Sequence, residues 1–193
     1  MGEILPINYY EDVKDLFLNL YLIGYENEGE SIIISVTSSN PEKRLFYIGI
    51  VDSYKSGDIN LTKEVLEHIF ERYELKKEKR KINFLCWTHP HDDHTKGMDD
   101  IIKQYCNNKT LIALPCIFYM DSLLTDESKK ALEAIKAISF NRKNVKNRGR
   151  LELLSNNNDL QKLNIGIGRN KHEMLIEYYG PVSYTHLTLP TKA

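Results

Sequence analysis

The sequence predicts a layered domain of the α/β or α+β class, and three observations predict it. Short segments rich in β-branched residues, aromatics and leucine come first, separated by turn formers. Apolar residues then recur at three- and four-residue steps, the period of an amphipathic helix. Beyond them, strand-like and helix-like segments alternate, an order that layers helices on a sheet. At 193 residues, the chain is long enough for one domain with a sizeable core, and no internal repeat stands out.

The first strands are expected at Phe17–Tyr25, Ser31–Val36 and Leu45–Val51, forming a meander. Leu61, Val65, Leu66, Ile69, Phe70 and Tyr73 then mark a helix running to about Leu75, with Asn60 as its N-cap. The charged run Lys76–Lys81 reads as a solvated helix end, with cations near the negative end of the dipole. A strand follows at Ile82–Trp87. Met98, Ile101, Ile102 and Tyr105 predict a helix ending near Asn107-Asn108, and Thr110–Leu114 a further strand. A helix from Asp126 to about Ile138 sets Leu132, Ile135 and Ile138 on one side. Strands at Leu151–Leu154 and Glu173–Tyr179 complete the readable part.

Composition excludes several classes. The hydrophobic fraction is 41 % and the charged fraction 27 %, as in ordinary globular proteins. A net charge of −1 leaves no global field to draw nucleic acid or an anionic membrane. The N-terminal region carries Glu3, Glu11 and Asp12 and no apolar stretch of signal-peptide or membrane-span length, so a cytoplasmic location and no membrane partner are expected. Cys86, Cys106 and Cys116 are odd in number and lack C-x-x-C spacing, which argues against a disulfide scaffold and a zinc ribbon. Cys86 stands three residues before His89, but reads as a strand-core thiol rather than a ligand.

The chemistry is concentrated in Thr88-His89-Pro90-His91-Asp92-Asp93-His94, at the end of the apolar run Ile82–Trp87. It spells H-x-H-x-D-H, a pattern expected by chance in about three of ten thousand chains of this composition. His89 and His91 are two apart, so an extended backbone sends both side chains to one side, where they converge on an ion. Asp93 and His94 follow where strand turns into helix, a bend that aims them at a second ion. Imidazole with carboxylate suits zinc, manganese or iron, and the lack of paired thiolates disfavours a structural zinc site. A helix starting near Thr95–Gly97 is expected to point its N–H groups at the same place, favouring an anionic substrate.

The cluster, its strand and the following helix resemble the metallo-β-lactamase-fold hydrolases. Asn27-Glu28-Gly29-Glu30-Ser31 before Ile32-Ile33-Ile34 is similar to the G-Q-G-D-S and apolar strand of the branch containing the soluble domain of DNA-uptake competence proteins, with departures at Asn27 and Glu28. Val51-Asp52-Ser53 stands where that branch has I-D-T/S-G, and Cys86-Trp87-Thr88-His89-Pro90 resembles its L-T-H-P approach. The segment from Asn170 to Gly180 is similar to its N-x-x-S-L-V-L strand. The resemblance spans roughly residues 17 to 180 and implies the N-terminal part of an αββα sandwich.

It further implies that His89 and His91 hold one metal and Asp93 and His94 a second. The pair is expected to be two divalent transition metals, Zn2+ foremost, with Mn2+ or Fe as alternatives. Asp52 is then either a buttress behind the ligand loop or a strand-end carboxylate bonding to backbone, and Asp92 a loop residue. The implied activity is hydrolysis by a metal-activated water, with a phosphodiester preferred and a small-molecule ester, thioester or lactam as the broader class. The basic stretch Arg142–Arg150 reads as a solvated loop, or as a grip for a polyanion that makes nucleic acid a candidate partner. The alternative from another class is a non-catalytic metal-binding or interaction domain.

The family's bridging Asp and a later His are expected beyond the strand at Glu173–Tyr179. Here the chain instead reaches Gly180-Pro181 and enters Val182–Thr191, which resembles one reading frame of a sequencing adapter. Residues 1–181 are therefore expected to form the domain and 182–193 a non-native tail, so His186 is set aside and weak metal affinity with little activity is expected. His68 reads as an exposed helix residue, and His172 as a strand-start residue rather than a recruited ligand. Gly166-Ile167-Gly168-Arg169 is too short for a phosphate loop.

Overall fold

A computed structural model describes residues 7–24, 29–39, 42–115, 124–140, 150–154, 158–166, 169 and 171–178. Its main sheet is built from β2 (Phe17–Gly24), β3 (Glu30–Ser38), β4 (Arg44–Val51), β7 (Phe84–Cys86), β8 (Leu111–Pro115) and β9 (Arg150–Leu154), in that spatial order. The first two pairings are antiparallel, as the expected meander requires, and the remaining three are parallel. Parallel neighbours need crossovers, and the helices supply them. Helix α1 (Leu61–Arg72) joins β4 to β7, α3 (Met98–Tyr105) joins β7 to β8, and α4 (Asp126–Phe140) joins β8 to β9.

Alternation along the central strands decides the layering. In β7 and just beyond it, Leu85 and Trp87 enter the core shared with the three crossover helices, while Phe84 and Cys86 enter a second core. β8 repeats the pattern, with Ile112 and Leu114 on the helix side and Leu111 and Ala113 opposite. Strands buried on both faces read as continuous apolar runs, which is why Ile82–Trp87 is detectable in the sequence. The second core is closed by a three-stranded sheet of β1 (Ile7–Tyr9), β10 (Asn158–Ile165) and β11 (His172–Tyr178), ordered β1-β10-β11. Helices, main sheet and second sheet thus make three layers of a mixed α/β fold among the described residues.

Local signals account for several element boundaries. Asn60 caps α1, its Oδ1 accepting from Lys63 N at 3.0 Å, while its Nδ2 donates to Gly97 O at 3.0 Å just before α3. One buried side chain therefore ties the starts of two helices together. At β4, Val36 and Thr37 face Tyr47 and Leu45, so Phe46 is the extra residue of a β-bulge. The bulge lets Phe46 and Tyr47 both enter the inter-sheet core, where a regular strand would send one to each face. A small hairpin of β5 (Lys55–Ser56) and β6 (Ile59–Asn60) precedes α1.

The strands at Ile7–Tyr9, Lys55–Asn60 and Asn158–Ile165 are additions to the expected elements. The tail from Val182, the basic residues 141–149, and Asn27 and Glu28 lie outside the described residues. No helix among the described residues is long and apolar enough to cross a membrane.

Candidate metal centre

The His cluster sits beyond the C-terminal end of β7, in the middle of the main sheet. Trp87 N donates to Ala113 O at 3.0 Å, carrying the sheet one residue past the strand before the chain turns. His91 then opens a single helical turn, α2 (Asp92–Thr95), with His94 N donating to His91 O and Lys96 N to Asp92 O. The helix start expected near Thr95–Gly97 is thus two elements. Lys96 leaves helical geometry and Gly97 takes φ +81°, so α3 begins afresh at Met98.

Asp52 organises this turn. It leaves β4 with φ +58°, a conformation that Asp tolerates better than most residues. Its N–H donates to Cys86 O at 2.8 Å, and the left-handed turn carries its carboxylate across to the ligand loop. There Oδ1 accepts from Thr88 N at 2.7 Å, and Oδ2 accepts from Thr88 Oγ1 at 2.5 Å and from His94 Nδ1 at 2.8 Å. The residue is 4 % exposed, and a carboxylate so buried requires such donors. Asp52 thus bonds the backbone and hydroxyl of Thr88 and the imidazole of His94.

The tautomers follow from these bonds. His94 Nδ1 faces a carboxylate, so it carries the proton and leaves Nε2 as the lone-pair nitrogen. Thr88 Oγ1 gives its proton to Asp52, so at 3.1 Å it accepts from His89 Nδ1, which frees His89 Nε2 in the same way. One carboxylate therefore orients two imidazoles, the second through a hydroxyl.

Backbone and packing contacts hold the turn from every side. Ser53 N donates to His94 O at 3.1 Å and Ser53 Oγ to Lys96 O at 3.0 Å. The fully buried Trp87 donates its indole N–H to Thr95 Oγ1 at 3.1 Å. Ser128 Oγ, in the first turn of α4, donates to Pro90 O at 2.6 Å. A Cβ on Gly29 would lie 2.5 Å from the Tyr54 ring and 2.6 Å from Asp93 O, so only glycine allows the loop before β3 to approach this closely.

The ligand atoms of His89, His91 and Asp93 all lie within 4.8 Å of one another. Donors on a tetrahedral zinc stand roughly 3.3 Å apart, so these three are near the spacing that one shared ion would require. His94 lies beside them, its ring centroid 3.8 Å from that of His89 and its Nε2 3.6 Å from Asp93 Oδ2. Asp93 thus lies close to the His89–His91 pair and to His94 alike. Successive helical residues diverge by about 100°, so Asp93 turns toward His89 and His91 while His94 turns inward to Asp52. Asp93 stands between the two groups.

Burial, then the neighbouring His94, pushes the His89 imidazole below its usual pKa, which favours the neutral form that ligates. The hydrogen bond to Asp52 moves His94 upward. Burial, and then Asp52, raises the Cys86 thiol to about 12, and Cys86 packs in the inter-sheet core as a strand-core thiol. His68 is exposed on α1 and His172 is exposed at the start of β11; neither belongs to the His–Asp group. Asp92 Oδ1 is buried without a hydrogen-bond partner and stays outside the Asp52 network. Thr88 and Ser128 are the contributors that sequence spacing missed. Thr88 precedes the motif and so carries a local signal, whereas Ser128 lies 38 residues from its partner.

No protein-family model matches the chain, and comparison with curated proteins gives no match.

Proposed function

We propose that this chain carries the metal centre of a hydrolase of the metallo-β-lactamase superfamily, taking two divalent transition metals, zinc foremost. The observation that carries the reading is the Asp52 network, which leaves Nε2 of His89 and His94 as lone-pair nitrogens beside His91 and Asp93. The order of helices, main sheet and second sheet, with the cluster at the end of a central parallel strand, supports the same superfamily. Metal bound here supplies a hydroxide nucleophile near neutral pH and a Lewis acid for the attacked group.

His89, His91 and Asp93 hold the first ion, and His94, with Asp93 between, contributes to the second. Asp52 keeps the Nδ1 protons of His94 and, through Thr88, of His89 in place. The phosphodiester preference rests on the resemblance to the competence branch and on the basic stretch Arg142–Arg150. Four side chains are a short ligand set for two ions, so weak binding and low turnover are expected of the chain as it stands.

The test measures metal content by equilibrium dialysis and hydrolysis of bis-p-nitrophenyl phosphate, for this chain and for its His91→Ala variant. Transition metal bound through the cluster, with low turnover that the variant loses, is the expected result. A chain that binds no transition metal refutes the reading. The non-catalytic alternative draws on one observation: among the described residues the group able to hold an ion consists of His89, His91 and Asp93 alone. Metal bound without turnover on ester, lactam and phosphodiester panels would favour it.

A further inference from the structure

The Asp52 network braces the rings of His89 and His94 and does not reach His91, which is exposed. The His91 ring stands edge-on to that of His89, with centroids 4.9 Å apart. Their spacing depends on the backbone between them, and Pro90 is that backbone. Its ring fixes φ at about −65°, so the direction of its carbonyl, set by ψ, decides how the chain enters His91. Pro90 is buried, and its carbonyl accepts from Ser128 Oγ at 2.6 Å. Ser128 is itself fully buried, in the first turn of α4. Its N–H donates to Thr125 Oγ1 at 3.1 Å, the bond of an N-cap, and the two hydroxyl oxygens stand 3.1 Å apart. A carbonyl only accepts, so Ser128 Oγ gives its one proton to Pro90 O and accepts from Thr125 Oγ1. The cap of α4 thus aims a buried hydroxyl at the ligand loop.

We propose that Ser128 is a positioning residue of the metal centre, holding the Pro90 carbonyl so that His91 is presented beside His89. This role rests on the reading of the His–Asp cluster as a metal centre. With φ set by the proline ring and ψ held by the Ser128 bond, the peptide plane leading into His91 is fixed. The same plane starts α2, because His91 O accepts from His94 N, so Asp93 is carried by it as well. The two supports are independent. Asp52 decides which imidazole nitrogens are free, and Ser128 decides where His91 and Asp93 stand. Loss of the Ser128 hydroxyl leaves the tautomers of His89 and His94 intact and releases the backbone between the first two ligands.

The experiment compares the full chain with Ser128→Ala, Thr125→Val, Thr125→Ser and Ala134→Gly. It reads zinc affinity by chelator competition, the visible spectrum of the Co2+-loaded protein, amide exchange in chelator, and urea unfolding. Ser128→Ala should bind zinc about tenfold more weakly and shift the cobalt bands, because one imidazole moves. In chelator, the His94 and Lys96 amides that close α2 should exchange faster than in the unmodified chain. Thr125→Val deletes the hydroxyl that aims Ser128 and should move all three readouts the same way, while Thr125→Ser should match the unmodified chain. Ala134→Gly, in the middle of α4, weakens the helix without touching Pro90. It should lose stability and keep its zinc affinity and cobalt bands. Unchanged zinc affinity in Ser128→Ala overturns the positioning role and leaves the metal-centre reading standing. An equal loss of affinity in Ala134→Gly also overturns it, since general loosening of α4 would then suffice. A chain that takes up neither zinc nor cobalt refutes the metal-centre reading and this role with it.

Discussion

The carboxylate of Asp52 accepts a hydrogen bond from His94 Nδ1 at 2.8 Å, across 42 residues of sequence. That bond joins the end of one central strand to the loop after its neighbour. If the chain holds metal as proposed, metal affinity and local stability both depend on Asp52.

Asp52→Ala leaves Thr88 N and His94 Nδ1 without their buried acceptor, so a loss of about 2–4 kcal/mol in stability is expected. Removing a partner behind metal-binding histidines commonly lowers affinity about 10–100-fold. Asp52→Asn keeps the shape but replaces one acceptor oxygen with a donor, so affinity should fall with a smaller stability loss. Urea unfolding and competition with a zinc chelator separate the two effects. Unchanged zinc affinity in both variants would remove Asp52 from the site.

Thr88→Val preserves volume but deletes the hydroxyl between Asp52 and His89. Zinc affinity is expected to drop about tenfold, with Thr88→Ser restoring it. Failure of serine to rescue would show that Thr88 acts by packing rather than through the His89 tautomer.

The metal-free protein should show a pH signature. Its hydrogen bond to Asp52 lifts His94 above the unfolded value of about 6.5. The folded state then holds that proton more tightly, so the contribution is fully present below about pH 6.5 and is lost as pH rises through the folded value. His89 is shifted down, chiefly by burial, and acts oppositely, costing stability as pH falls below about 6.5. Asp52→Asn removes the first effect and not the second. The stability gap between wild type and this variant, from urea melts in chelator, should widen on acidification; a gap constant with pH would contradict the charge pairing.

Gly29→Ala drives a methyl group into the Tyr54 ring and Asp93 O at a backbone φ of +148°. A loss of about 2–4 kcal/mol is expected from overlap and backbone strain together, with reduced zinc binding because Asp93 must move. Calorimetry and dialysis check both.

Zinc itself should stabilise the chain by about 2.7 kcal/mol at one hundred times its Kd. His91→Ala and Asp93→Ala should abolish that gain, while His68→Ala and His172→Ala should keep it. Thermal melts with and without zinc give the comparison, and loss of the gain in His172→Ala would redraw the ligand set.

Much of the main sheet was legible because its strands are buried on both faces or alternate cleanly, and its crossover helices carry apolar stripes. Asn60 was readable as a cap because capping is local chemistry. The short strand Ile7–Tyr9 was not, since three residues carry no period and its partner, Leu163–Ile165, lies at the far end of the chain. The bulge at Phe46 was equally hidden, because two adjacent aromatics give no sign of which faces they take.

For the site, residue type and spacing were enough to single out His89, His91, Asp93 and His94 as candidate ligands. Which neighbours each of them meets was decided by tertiary structure. Adjacent residues on a helical turn point apart, so Asp93 joined the two preceding histidines and His94 turned to Asp52. The sequence left Asp52 as either a buttress behind the histidines or a strand-end carboxylate bonding to backbone. Only the parallel pairing of β4 with β7 carries it to Thr88 and His94, because neighbouring strands bring distant segments within hydrogen-bond reach.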